Sequence, residues 1–322
     1  VPAISVTDLV KRYPGSTGTP VVAVDGVTFS IDAGEVYALL GENGAGKTTT
    51  VEILEGHRRA TSGSVRVLDS DPASGGRRFR DRIGIVLQSS GIEPEFTVRE
   101  VIELYGSAYS RRRTVDEVVE LIDLGAKVDE RVGSLSGGQR RRLDLGLGIV
   151  GHPDLLFLDE PTTGFDAAAR RRAWELIAAL GADGTTIVLT THYLEEAERL
   201  ADRVGVLSHG RMVAEGSPAE LTSAHRGAVV TFELADPAAA GELVTPDGAA
   251  GQQVTLDGRR VTVETDDPTE ALRILTTWAS DRRIELEGLS VRSASLEDVF
   301  LALTDDRAGD ERDRDAGDVG SA

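Results

Sequence analysis

Short apolar runs, separated by turn-forming residues, dominate the start of the chain. Positions 3–6 and 21–24 read as strands, and 27–31 alternates apolar with polar residues as a half-buried strand does. The unbroken apolar run 36–40 reads as a buried strand that ends in a glycine-rich turn, after which 48–54 takes a helical pattern. Strand, glycine turn and helix open a parallel α/β unit. Further buried strands are predicted at 83–87, 155–158, 186–189 and 204–207. Between about 97 and 150 the pattern turns helical, most clearly over 98–109 and 115–124. The expectation is a mixed sheet interrupted by a helical insert, in a first domain spanning 1–224.

A smaller unit follows. Residues 229–234 predict a strand and 237–243 a short helix. The runs 254–256 and 261–263 flank Asp257-Gly258, a hairpin signal. Asp267 is placed to cap a helix with Pro268 at its first position, and Ala271, Ile274, Leu275, Trp278 and Ala279 make its apolar face. A strand returns at 284–291. The order β-α-β-β-α-β predicts a ferredoxin-like α+β domain over 225–304. Its last helix starts at Ser295, with Leu296, Val299, Phe300 and Leu303 on one stripe. The polar, acidic stretch 305–322 predicts a disordered tail.

Composition narrows the function classes. The chain is 40% hydrophobic and 28% charged, enough to bury a substantial core. No run reaches the roughly 18 consecutive apolar residues of a spanning helix. Cysteine is absent, which excludes disulfides and thiolate metal sites. A formal net charge of −19 argues against a nucleic-acid partner, which calls for a basic face. Arginine clusters at 111–113, 140–142 and 170–172 read as solvated helix faces. His57, His152, His209 and His225 have no chemical context and read as structural.

Gly41-Glu42-Asn43-Gly44-Ala45-Gly46-Lys47-Thr48 satisfies the P-loop pattern, between an apolar strand and a helix. The glycines let successive backbone N–H groups turn inward onto phosphate oxygens, and the helix N-terminus adds partial positive charge. Lys47 is placed for the β- and γ-phosphates and Thr48 for Mg²⁺, with Thr49 beside them in the same site. The strand 155–158 then delivers Asp159 and Glu160 to the C-terminal edge of the sheet, where open α/β sheets bind ligands. Asp159 is the candidate holder of Mg²⁺. Glu160, one residue on, leaves the strand in another direction and is the candidate for orienting or deprotonating water.

Leu135-Ser136-Gly137-Gly138-Gln139 places a hydroxyl N-cap and two glycines at a helix start, a second anion site in a chain that already has one. With the P-loop and the acidic strand it makes residues 3–224 closely resemble the ATP-binding-cassette ATPases. The resemblance implies an ATPase using ATP and Mg²⁺, in which two chains sandwich two ATPs head to tail. Ser136, Gly137, Gly138 and Gln139 of one chain then contact the γ-phosphate held by the other. It further implies that Tyr13 stacks on adenine, and that Gln88 senses Mg²⁺ and water and couples to a membrane partner. By the same resemblance Asp166 matches the aspartate that communicates across the dimer, and His192 resembles the switch histidine at the γ-phosphate. Phe165 departs from the usual leucine. With Lys47, Glu160 and His192 all present, both sites of a homodimer are expected to be competent.

Long coiled-coil inserts, zinc cysteines and a second cassette are all missing, which sets aside the non-transport members. The segments Pro161-Thr162-Thr163-Gly164-Phe165-Asp166, Thr191-His192-Tyr193-Leu194-Glu195-Glu196-Ala197 and Ser295-Leu296-Glu297-Asp298-Val299-Phe300-Leu301 resemble the daunorubicin-resistance type of exporter rather than an importer. That likeness implies a separate transmembrane permease, a position on the cytoplasmic side of the cell membrane, and drugs, natural products or lipids as substrates.

Overall fold

β1 (Pro2–Tyr13) pairs antiparallel with β2 (Val21–Asp32), so the two strands predicted at 21–24 and 27–31 are one. Leu9 faces Val27 and Val10 faces Asp25, which leaves Gly26 as the extra residue of a bulge at φ 71°. The glycine interrupts the apolar pattern without ending the strand. The computed structural model that shows this describes residues 2–15, 18–87, 91–224, 228–236, 253–293, 295–301 and 303. The chain divides into two compact units, Val1–Pro218 and Ala219–Ala322.

In the first unit, β3 (Val36–Gly41), β5 (Ile83–Val86), β6 (Leu155–Asp159), β7 (Thr186–Thr190) and β8 (Arg203–Ser208) run parallel, and β9 (Arg211–Gly216) closes one edge antiparallel. The sheet order is β5-β6-β7-β3-β8-β9, and β3 and β7 are buried along their whole length. Tyr37, Leu39, Leu155, Phe157 and Val188 share a core with β1, β2 and α1 (Lys47–Leu54). A third strand, β4 (Ser62–Val67), adds to the far side of β1. Neither β4 nor β9 is predicted from the sequence, because both are edge strands whose exposed positions break the apolar run.

A short α2 (Gly76–Arg80) precedes β5. The helical insert holds α3 (Val98–Gly106) and α4 (Val115–Leu121), which end short of the predicted 109 and 124. α5 (Gly137–Ile149) then leads back to the sheet, and α6 (Ala167–Ala182) and α7 (Leu194–Leu200) follow β6 and β7. Helices α3, α4 and α5 each begin with a reciprocal capping box, Thr97 with Glu100, Thr114 with Glu117 and Ser136 with Gln139. The C-terminal part of α5 lies directly on β5. A Cβ added at Gly84 would sit 2.0 Å from the Gly148 carbonyl oxygen, and one at Gly148 would sit 2.3 Å from Val86. Only glycine at both positions permits that approach.

α8 (Pro218–Ala224) begins at the last residue of the first unit. The sheet of the second unit is β10 (Ala228–Glu233), β11 (Gln253–Asp257), β12 (Arg260–Thr265) and β13 (Glu287–Ser293), all antiparallel in the order β11-β12-β10-β13. First and third strands lie in the middle, as a ferredoxin-like sheet requires. α9 (Pro268–Arg282) is capped by Asp267 and packs Leu275 onto Val230, Phe232, Val261 and Val263. β13 starts three residues later than the predicted 284, because Arg283 turns left-handed at φ 55° and the Ile284 N–H bonds back to Ala279. Ser295 and Asp298 exchange hydrogen bonds at the start of the last helix. The helix expected at 237–243 and the tail from 305 lie outside the described residues. Among the described residues, no helix is long and apolar enough to cross a membrane.

Candidate functional site

Register places the motif loops along one sheet edge. Thr190, near the end of β7, pairs with Leu39 of β3 on one side and with Asp159 of β6 on the other. The turns after these strands therefore emerge together, at the edge where parallel sheets bind ligands.

After β3 the chain wraps tightly. Gly46 caps α1 at φ 102°, and a Cβ there would lie 2.4 Å from the Ala23 carbonyl oxygen. Lys47 curls over its own loop, its Nζ donating to the carbonyls of Gly41 at 2.5 Å and Glu42 at 3.0 Å. Burial lowers the Lys47 pKa, and the carboxylates of Glu160, Asp159 and Glu42 act against that fall. A cavity of about 380 Å³ opens here, lined by Glu42, Asn43, Gly44, Gly46, Lys47, Thr48 and Thr49 together with Ala23, Asp159 and Glu160. Gly41 and Ala45 are buried beneath this loop and shape it. Tyr13 borders the same place: its hydroxyl lies 3.4 Å from that of Thr49. Lys11 and Arg58 sit 5.1 Å and 5.6 Å from the centre of its ring. A larger cavity of about 650 Å³ between α4, α5 and α6 contains none of the phosphate-loop residues.

The acidic pair is held firmly. Asp159 accepts a hydrogen bond from the Thr190 hydroxyl at 2.5 Å. Glu160 adopts φ 46°, in the left-handed region that residues with a side chain seldom occupy. Its N–H donates to the Thr190 carbonyl at 3.0 Å, so the strand end stays fastened while the side chain turns off the strand line. Its carboxylate accepts from the Thr163 hydroxyl at 3.2 Å and lies 3.2 Å from His192 Nδ1. Glu196, fully buried, accepts from the Thr162 hydroxyl and from the Trp174 indole, both at 2.9 Å, tying the loop after β6 to α6 and α7.

Mg²⁺ takes oxygen ligands, one or two from protein with the rest from phosphate and water. Thr48 and Asp159 both line the cavity and provide a hydroxyl and a carboxylate, so the donor set fits that ion.

Other expected residues stand apart. Ser136 and Gly137 are exposed at the tip of α5, and none of Ser136, Gly137, Gly138 and Gln139 lines the cavity. Ser136 and Gln139 are engaged with each other, at 2.8 Å and 3.3 Å. Asp166 caps α6 by accepting from the N–H groups of Ala169 and Ala168, and the Ala169 bond most strongly holds its carboxyl below the usual range. Phe165 is buried against Ala169 and Ala173. Gln88 lies outside the described residues.

The arginine clusters need correction. Arg141 is only 8% exposed, against the expectation of a solvated face. Arg142 is half-buried and paired with Asp123 at 2.7 Å, and Arg113 donates to the Ile149 carbonyl at 2.6 Å. The signal for Arg141 was present in the helix period. It shares a face with Asp144, Leu145 and Gly148, all buried.

Comparison with known proteins bears on this geometry. A profile of the ABC transporter family matches residues 24–163, and one for the C-terminal domain of ABC transporter domain-containing protein-like sequences matches 228–295. The daunorubicin/doxorubicin resistance ATP-binding protein DrrA of Streptomyces peucetius is 39% identical over 321 residues, covering 96% of both chains. The Nod factor export ATP-binding protein I of Burkholderia pseudomallei (strain 1710b) is 38% identical and covers 94% of this chain and 97% of its own. A solved ATP-binding subunit of an ABC transporter superposes with a TM-score of 0.62 at 26% identity, over 69% of this chain and 92% of that one. A dimeric bacterial ABC transporter cassette gives a TM-score of 0.60 at 25% identity, over 66% and 98%.

Proposed function

Because the chain belongs to the ABC transporter ATP-binding proteins, we propose that it is the ATP-hydrolysing subunit of an exporter, working as a head-to-tail pair against a separate transmembrane permease. One observation carries the paired arrangement. Lys47, Thr48, Asp159 and Glu160 share a cavity, while Ser136 and Gly137 stand exposed outside it. A helix N-terminus with free N–H groups is an anion site, and a second chain's phosphate is the anion that fits it.

In this reading Tyr13 carries the adenine, and the N–H groups of 41–48 with Lys47 grip the phosphates. Thr48 and Asp159, with Gln88, hold Mg²⁺. That ion, when bound, offsets charge on the phosphate oxygens. Glu160 orients the attacking water and accepts its proton, and its left-handed backbone aims the carboxylate into the cavity. His192, already against Glu160, contacts the γ-phosphate. Asp166 faces the opposite chain. Residues 1–224 supply the whole nucleotide chemistry, and 225–304 serve as an accessory domain that steadies or regulates the pair.

Export is supported by the two relatives named for drug resistance and Nod factor export, which match nearly the full length, second unit included. Drugs, natural products and lipids are the substrate classes that follow, and the cytoplasmic face of the membrane is the place of action. The test is reconstitution with the membrane protein encoded beside this chain. ATP-dependent movement of an amphipathic drug out of the nucleotide-containing compartment is expected. Movement in the opposite direction, or co-purification with a nuclease or ribosome instead of a membrane protein, would reject the reading.

A further inference from the structure

Four backbone carbonyls from two separate loops converge on one buried guanidinium. Arg141 Nη2 donates to the carbonyl oxygens of Asp159 and Glu160, each at 2.8 Å. Its Nε donates to Pro161 at 3.4 Å, and its Nη1 donates to Leu87, the residue before Gln88. Asp144, one helical turn on, lies 3.9 Å from Nη1. Burial lowers the Arg141 pKa, against the opposing pull of Asp144, Asp159, Glu160 and Glu196.

These carbonyls need a donor because of how the chain turns. At φ 46° Glu160 leaves the extended conformation and the pairing of β6 with β7 stops at Asp159, so the Glu160 and Pro161 carbonyls fall beyond the ladder; that of Glu160 also accepts from the Thr163 N–H at 3.3 Å. Pro161 is buried, Asp159 and Glu160 are partly so, and Leu87 is exposed; carbonyls shielded from water without partners are costly, and only guanidinium offers five N–H donors in one rigid plane. The helix that presents Arg141 is itself fixed, by the contact of Gly148 on Gly84.

We propose that Arg141 is the positioning residue that holds Glu160 in its left-handed conformation, with its carboxylate in the nucleotide cavity, by collecting the carbonyls of Leu87, Asp159, Glu160 and Pro161. Without it, the carbonyls of Asp159, Glu160 and Pro161 are relieved most cheaply when Glu160 returns to an ordinary backbone region and its side chain swings out. Binding of nucleotide without Mg²⁺ does not depend on that arrangement, since it falls to Tyr13 and the loop 41–48, whereas Asp159 and Gln88, proposed for Mg²⁺, stand beside the acceptors of Arg141. The inference rests on the reading of Glu160 as the group that addresses water.

The experiment is a double-mutant cycle on the full chain, with R141M and Glu160→Gln. ATP affinity is measured by displacement of a fluorescent nucleotide in the absence of Mg²⁺, and hydrolysis with Mg²⁺ in a single turnover with protein in excess. R141M is expected to change ATP affinity by less than about twofold and to slow hydrolysis by at least about tenfold. On the Glu160→Gln background the same substitution should change the residual rate by less than about twofold. R141K keeps the buried charge but has one nitrogen for four acceptors, so it too should be slow. If R141M does not fold by circular dichroism, the cycle with R141K decides. Equal slowing on both backgrounds, an affinity loss that matches the rate loss, or wild-type turnover by R141K would each overturn the proposal alone. Normal turnover by Glu160→Gln by itself would overturn the role of Glu160, and this proposal with it.

Discussion

His192 Nδ1 lies 3.2 Å from Glu160 Oε1, and the two residues come from different loops, after β7 and after β6. Thr190 joins those loops below, since it bonds both the Asp159 carboxylate and the Glu160 N–H. The carboxylate proposed for the water is thus braced from several sides, by His192, by Thr163 and through its own backbone.

A braced carboxylate permits a clean substitution. Glu160→Gln keeps the shape and the left-handed backbone but loses the basic group. Hydrolysis is expected to fall by at least about 10²-fold, the lower end of what a general base contributes. ATP binding should persist, and size-exclusion chromatography with ATP should show a longer-lived dimer. Wild-type turnover would remove Glu160 from its role.

Gly46→Ala tests the phosphate loop without touching a charged group. The new methyl would meet the Ala23 carbonyl at 2.4 Å, in a left-handed conformation that costs a residue with a side chain about 1–2 kcal/mol before any clash. Melting temperature and ATP affinity should both fall, the affinity by about tenfold or more. Unchanged binding would mean that the loop does not need its φ of 102° to hold phosphate.

The composite site predicts complementation. Lys47→Ala and Ser136→Arg homodimers should each lack a complete site. A mixed dimer should hold one, from the intact phosphate loop of one chain and the intact α5 tip of the other. Random pairing makes about half the dimers mixed, so occluded ATP should recover to about a quarter of wild type if the sites act independently. Occlusion by either variant alone, or none in mixed dimers confirmed by tags, would count against the head-to-tail arrangement.

Glu55 gives a pH dependence that is independent of turnover. Burial first, then the nearby charges of Asp159 and Glu52, push its carboxyl from 4.5 to about 8. Across that window the native state keeps a proton that the unfolded chain has released. Stability therefore falls as pH rises from 4.5 and levels off above 8. Glu55→Gln is neutral throughout. It should match wild type near pH 4.5 and exceed it by a few kcal/mol above pH 8, in urea unfolding of the nucleotide-free chain. A constant difference at all pH values would contradict the buried, protonated side chain.

The parallel strands and the phosphate loop are legible in the sequence because their signals are local. The run 36–40, the glycines after it and the run 155–158 each state their own structure. β4 and β9 are not legible, since an edge strand such as Ser62-Gly63-Ser64 gains its place from a neighbour and not from its own apolar pattern. Tyr13 and Thr49 are remote in sequence and meet only in the fold. The burial of Arg141 is legible in the period of α5, but its acceptors are not: they lie where β5 and β6 end, which a linear reading of α5 does not contain.

The seat of Gly148 on Gly84 makes α5 a lever. Its root is clamped backbone to backbone, and its exposed tip, Ser136, lies twelve residues away, or about 18 Å at 1.5 Å per residue. A tilt of about 5° at the root moves the tip by about 1.6 Å, half the length of a hydrogen bond. One added methyl group under the root would therefore be magnified at the tip into misalignment with the opposite chain, far from any nucleotide atom.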